Sequence, residues 1–142
     1  MAARELVSTR TFPHPPAGLF AAFADPERLA RWWGPAGATN EFHEFDLRPG
    51  GRWRLTMRMP DGSSYDMEKT IVEVDPPRRV AVHHAQEGHD FTLTMAYVEV
   101  PGGTRLSWRT RFATPEQLAR VEKAFAAANE QNFDRLAAEM ER

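Results

Sequence analysis

Two periods divide this chain. Between residues 39 and 112 apolar side chains recur at every second position, as in strands with one covered face. Beyond that they recur at steps of three and four. Leu118, Val121, Phe125, Leu136 and Met140, with Ala124 and Ala128 beside them, predict one amphipathic helix over 114–140. Thr114 suits the N-cap, Pro115 the first helical position, and Gln117 completes a capping box. No Gly or Pro follows Pro115, so nothing interrupts about seven turns. Phe125 stands near the centre of the stripe, where a change to Ala is expected to cost roughly 3–5 kcal/mol. Asn129 and Asn132 fall inside the stripe and Glu122 at its edge. Buried amides without partners cost roughly 1–3 kcal/mol each, so strand groups or water must satisfy them. Two together favour a partly wet pocket facing the helix.

The rest of the chain follows from period and punctuation. Residues 4–12 read as a first strand, stopped by Pro13-His14-Pro15-Pro16. Leu19, Phe20 and Phe23 give a short helical face, and Asp25-Pro26 caps a second short helix through Trp32-Trp33, stopped by Gly34-Pro35. From Thr39 onward, alternation places His43, Phe45 and Leu47 on one strand face, opposite Asn40, Phe42, Glu44 and Asp46. Trp53, Leu55, Met57 and Met59 alternate with Arg52, Arg54, Thr56 and Arg58. Further strands run over 65–74, through Val80, Val82 and His84, from Phe91 to Val100, and through Leu106, Trp108, Thr110 and Phe112. The turns between them contain Pro49-Gly50-Gly51, Pro60-Asp61-Gly62-Ser63, Asp75-Pro76-Pro77, Glu87-Gly88-His89-Asp90 and Pro101-Gly102-Gly103. Strands joined by such short turns must be antiparallel. The order predicts an α+β fold: a curved sheet of six or seven antiparallel strands on a long C-terminal helix, with two short helices after the first strand. Only the long helix looks large enough to cover the apolar sheet face.

Composition narrows the function more than it names one. The 142 residues suit a single domain over 1–142. A formal net charge of -2 argues against nucleic acid, whose partners carry a basic face. With no cysteine there is no disulfide, thiolate nucleophile or cysteine-bound metal. No apolar run approaches the ~20 residues of a membrane span and residues 1–11 carry no signal-type apolar core, so the expected setting is the cytoplasm, off the membrane.

The segments Asp25-Pro26-Glu27, Trp32-Trp33-Gly34-Pro35 and Asp46-Leu47-Arg48-Pro49-Gly50-Gly51-Arg52-Trp53 resemble the family related to the activator of heat-shock protein 90 ATPase. The segment from Glu73 through Val80, and Gly103-Thr104-Arg105-Leu106, fit it as well. The resemblance covers residues 5–140 and implies the helix-grip fold of START and Bet v 1-like proteins. It also implies binding of lipids, polyketides or other hydrophobic ligands, with a few cyclases and hydrolases among the relatives. The eukaryotic activator has a further N-terminal domain without a counterpart here, so a ligand-binding domain is expected before direct activation of a chaperone ATPase.

Candidate chemistry is sparse. The five histidines make no metal-binding spacing, and His83 and His84 point to opposite strand faces. Alternation puts His43 and His84 on the face carrying Phe45 and Val82, where either could act as a general base, although a hydrogen-bonded core histidine is the commoner case. No serine sits in a nucleophile motif, and no Gly-rich phosphate loop or other cofactor signature occurs. Arg52, Arg54 and Arg58 form an outer basic row that Asp66 and Glu68 can pair across strands. Trp32 and Trp33 could form a pocket mouth, or one could staple the short helices while the other stays partly exposed.

The first expectation is therefore a small, mostly hydrophobic molecule held between the long helix and the sheet. Trp53, Leu55, Met57, Met95, Trp108 and Phe125 would form the walls. His43, His84, Asn129 and Asn132 would orient the ligand, with no metal and no cofactor. Two further classes stay open: a cyclase- or hydrolase-type enzyme using a cavity His or Glu122, and a co-chaperone-like module binding a protein partner or a second copy through the outer sheet face.

Overall fold

A computed structural model describes residues 4–85 and 90–142. Of the segment Glu87-Gly88-His89-Asp90, expected to turn, residues 87–89 lie outside the described residues. The elements run β1 (Glu5–Phe12), α1 (Pro16–Ala24), α2 (Pro26–Trp32), β2 (Thr39–Phe45), β3 (Arg52–Arg58), β4 (Ser64–Asp75), β5 (Arg79–His84), β6 (Phe91–Val100), β7 (Gly103–Phe112) and α3 (Pro115–Met140). The seven strands form one antiparallel sheet in the order β1-β7-β6-β5-β4-β3-β2. The meander follows from tight turns. Only β1 pairs out of sequence, with β7 at the opposite end of the meander from β2. The arrangement is α+β, as the element order predicts, with the helix-grip architecture that the resemblance implies.

Helix starts follow local chemistry. The Asp25 carboxylate accepts the Glu27 amide at 3.0 Å, and Thr114 Oγ1 accepts the Gln117 amide at 3.2 Å. The capping box is not closed by its second half. Gln117 Oε1 instead accepts the Asp90 amide at 3.0 Å, so this side chain ties α3 to the entry of β6. In the turn before β3, Gly50 has φ 84°, as turn glycines often do. Gly51 is needed for a different reason: a Cβ there would overlap the Asp46 carbonyl.

The inner sheet face is not covered by α3 alone. Trp53 lies against Phe23 of α1 and Trp33, with ring centroids 5.6 and 4.8 Å away. The short helices and the segment after α2 therefore cover the β2–β3 side, which corrects the expectation that only the long helix could. On the other side Phe133 is fully buried, edge-on to Trp108 at 5.0 Å and Phe12 at 6.1 Å. Phe133 lies outside the stripe read from sequence, yet it is the helix's largest core anchor.

The fully packed residues of α3 sit toward its two ends. Leu118 is buried near the start, and Asn132, Phe133, Leu136 and Glu139 near the finish. Between them Val121, Phe125, Ala128 and Asn129 are only half-buried. The middle of the helix bridges a gap over the sheet.

Candidate functional site

That gap is a pocket of about 180 Å³. Phe125, Ala128, Asn129 and Asn132 of α3 form one wall; Met57, Met67, Lys69, Phe91, Leu93, Trp108 and Thr110 of the sheet form the floor. Trp33, Gly34 and Pro35 close the end toward α2. Apart from Lys69 and a few amide or hydroxyl groups, the lining is aromatic, aliphatic or thioether. An apolar solute gains there from leaving water, at roughly 25 cal/mol per Å².

The closing segment is held by three side chains of α3. Arg135 Nη1 donates to the carbonyls of Trp33, Gly34 and Pro35 at 2.8, 3.1 and 3.0 Å. Its Nη2 donates to the carbonyls of Arg31 and Ala38 at 2.9 and 2.8 Å. Asn132 Nδ2 donates to the Trp32 carbonyl at 2.8 Å and its Oδ1 accepts the Gly34 amide at 3.1 Å. Gln131 Oε1 accepts the Ala36 amide at 2.9 Å. Gly34 has φ 96°, and a Cβ there would meet the Met57 methyl at 2.8 Å, so the wall is formed by bare backbone. Desolvation pulls Arg135 below its ordinary value.

Below this segment, Glu139 locks α2 onto α3. Its carboxylate is only 3% exposed and accepts from Arg31 Nε and Nη2 at 2.9 and 2.8 Å and from Arg28 Nε at 3.1 Å. The Arg31 bonds, then those of Arg28, hold this carboxyl below its ordinary range against the opposing effect of burial.

Several residues expected at the site meet at the pocket: Trp33, Met57, Trp108, Phe125, Asn129 and Asn132. Others do not line it. Trp32 is buried beneath, its indole donating to the Ala22 carbonyl at 3.0 Å. Neither tryptophan of the pair is exposed, at 1% and 6%. Trp53, Leu55 and Met95 are packed into the core. His84 is buried and stacks on Phe91 with centroids 4.9 Å apart, behind the pocket wall.

His43 is on the opposite side of the sheet from its expected position. A bulge between Phe42 and Glu44 resets the alternation, so Phe42 pairs with Leu55 and Phe45 with Trp53. Both rings then face inward, and His43 points out to Thr56 Oγ1, 2.7 Å away, which in turn donates to Asp66 at 2.8 Å. Glu122 is exposed. With His43 and Glu122 outside and His84 behind the wall, no expected acid or base lines the pocket. For Asn132 the partners at both ends are backbone groups, not water, and Asn129 Nδ2 donates to Ser8 Oγ at 3.0 Å.

The sequence reading missed Lys69. It is 6% exposed on the inner face of β4, with Nζ 5.6 Å from the centre of the Trp53 ring. Alternation could have found it. With Asp66 and Glu68 outward, Met67, Lys69 and Ile71 must point inward. Burial pushes the Lys69 ammonium down to about 8.

The outer face offers less. Arg52, Arg54 and Arg58 pair with Glu68, Glu44 and Glu41, so β2 as well as β4 supplies their partners. Open grooves of about 640 and 390 Å³ occur outside the grip, the first beside the Arg78–Asp75 pair and the second between His43 and Glu68. They are larger than the inner pocket but solvated and charged. Among the described residues no group of three His, Asp or Glu could hold a metal, and no helix is long and apolar enough to cross a membrane.

Comparison with known proteins agrees with this geometry. A search of curated proteins found no match. Among solved structures, a protein from Mycobacterium smegmatis is 28% identical, with a TM-score of 0.84 over 95% of this chain and 89% of that one. The AHSA1 protein from Silicibacter pomeroyi is 25% identical, with a TM-score of 0.76 over 96% of both chains. A Nitrosomonas europaea protein at 20% identity reaches 0.87 over 96% and 94%, a likeness of fold alone. The family described as Activator of Hsp90 ATPase homolog 1-like protein matches residues 13–141. Nearly the whole grip is included in that match, from the turn after β1 to the end of α3, and the chain belongs to this family.

Proposed function

We propose that this protein binds a small, mostly apolar molecule in the pocket beneath the middle of α3. The observation that carries the reading is the gap itself. A helix anchored at both ends stands off an apolar floor and leaves about 180 Å³. Close-packed interiors hold few voids of this size, and a dry apolar cavity near 150 Å³ takes benzene. The volume therefore matches a compound of about one aromatic ring.

Toluene provides the direct test. In thermal melts it should raise the midpoint in proportion to ln(1 + [L]/Kd). Ala128→Leu, which adds bulk to the helix wall, should abolish the shift without unfolding the protein. A parent midpoint that does not move at saturating toluene would remove this reading. Native mass spectrometry of protein taken from its source cell would then identify the resident ligand by mass.

A further inference from the structure

We propose that the pocket selects small apolar monocarboxylic acids, with the ligand carboxylate paired to the Lys69 ammonium and its ring or short chain against Phe91, Leu93 and Phe125. The inference rests on the reading that the pocket takes an apolar molecule, and adds the chemical class.

Lysine is almost never buried without a partner. Among the described residues Lys69 has no ion pair or hydrogen bond, only the face of Trp53 at 5.6 Å. A ring face supplies part of an anion's attraction but accepts no strong hydrogen bond. Trp108, also in the lining and 2% exposed, has a buried indole Nε1 without an acceptor. Both uncompensated groups are donors. Asn132, one of the lining amides, already takes the Gly34 amide and donates to the Trp32 carbonyl.

No carboxylate lines the pocket, so a charged acceptor has to arrive with the ligand. Charge-assisted hydrogen bonds are roughly twice as strong as neutral ones, and the low dielectric of the lining strengthens them further. One cation implies one carboxylate, since the other cation nearby, the Arg135 guanidinium, is engaged by five backbone carbonyls. With Lys69 lowered only to about 8, the side chain is still mainly an ammonium at pH 7. The volume limits the acid to about the size of benzoate.

Calorimetric titration of the parent protein at pH 7 with benzoate, its neutral isostere benzamide, and toluene tests the assignment. Benzoate should bind about 10- to 100-fold more tightly than benzamide. Lys69→Met should remove that preference. Toluene binding with no preference for benzoate over benzamide overturns the carboxylate assignment and leaves the apolar pocket standing. A preference that persists in Lys69→Met overturns the role of Lys69. Binding of none of the three overturns both this inference and the reading it rests on. The benzoate-to-benzamide comparison needs no variant, so it decides the matter even if Lys69→Met fails to fold.

Discussion

Lys69 is the residue whose environment departs furthest from its chemistry. A buried ammonium forfeits hydration that Trp53 only partly replaces. Lys69→Met keeps the length of the side chain and removes the charge, so it should raise stability by roughly 1–3 kcal/mol at pH 7, read from chemical denaturation. The pH dependence has a definite sign. Below pH about 8 the lysine is charged whether folded or unfolded, and the folded state bears the full penalty. Between about 8 and the ordinary value of 10.5 the unfolded side chain keeps a proton that the folded one has released. The unfolded state then binds more protons, and stability rises with pH. Tyr97 opposes this above its ordinary value of 10.0, because burial raises it and the folded phenol keeps its proton longest. The rise should therefore be clearest from pH 8 to 10 and absent in Lys69→Met. A parent curve parallel to the variant's over that window would contradict the buried charge.

The element that most depends on its neighbours is the segment 33–38. It is short, carries two glycines and has no regular structure, so its backbone groups need partners from elsewhere. Arg135, Asn132 and Gln131 provide them from successive turns of α3. Arg135→Met should cost about 2–4 kcal/mol, since several carbonyls lose a charged donor together. Hydrogen exchange should accelerate in residues 33–38 while the central strands stay protected. Uniform acceleration would mean that the segment is not a separate unit. The α2–α3 junction has its own pH signature. Glu139 is held below its ordinary 4.5 in the folded state, so its stabilisation is complete above that value and is lost as pH falls through the folded one. Melts from pH 6 to 2 should show a steeper acid loss in the parent than in Glu139→Gln.

Across the whole molecule, the grip separates two kinds of aromatic residue on one helix. Phe133 seals the sheet against α3, and Phe133→Ala should cost about 3–5 kcal/mol, a large share of a typical total stability. Phe125 faces the pocket, half-buried between Phe91 at 5.6 Å and Phe112 at 5.4 Å. Phe125→Ala should cost only about 1–2 kcal/mol, less than the roughly 3–5 kcal/mol expected for a central core position, because the ring is half-buried beside open space, and should enlarge the pocket for bulkier probes. Equal losses in the two variants would mean that the middle of α3 is packed as tightly as its C-terminal half. A molecule built this way keeps its packed anchors at the helix ends and its open volume at the middle.

The sequence by itself determined what local chemistry controls. Period two marks the strands, Gly and Pro their turns, and Thr114-Pro115 the start of α3, because each of these is decided within a few residues. It also placed Trp33, Met57, Trp108, Phe125, Asn129 and Asn132 near one another, since strand alternation and helix phase both survive folding. Tertiary structure decided the rest. One extra residue in β2 sent His43 outward, and no short-range pattern announces such a bulge because the partner strand defines it. Asn132 could have faced water or backbone; its partners are about a hundred residues away, so only the docked 33–38 segment settled the choice. Lys69 could be assigned to the inner face by counting, but its burial against Trp53, and the lack of any carboxylate in the pocket lining, depend on residues brought together from across the chain.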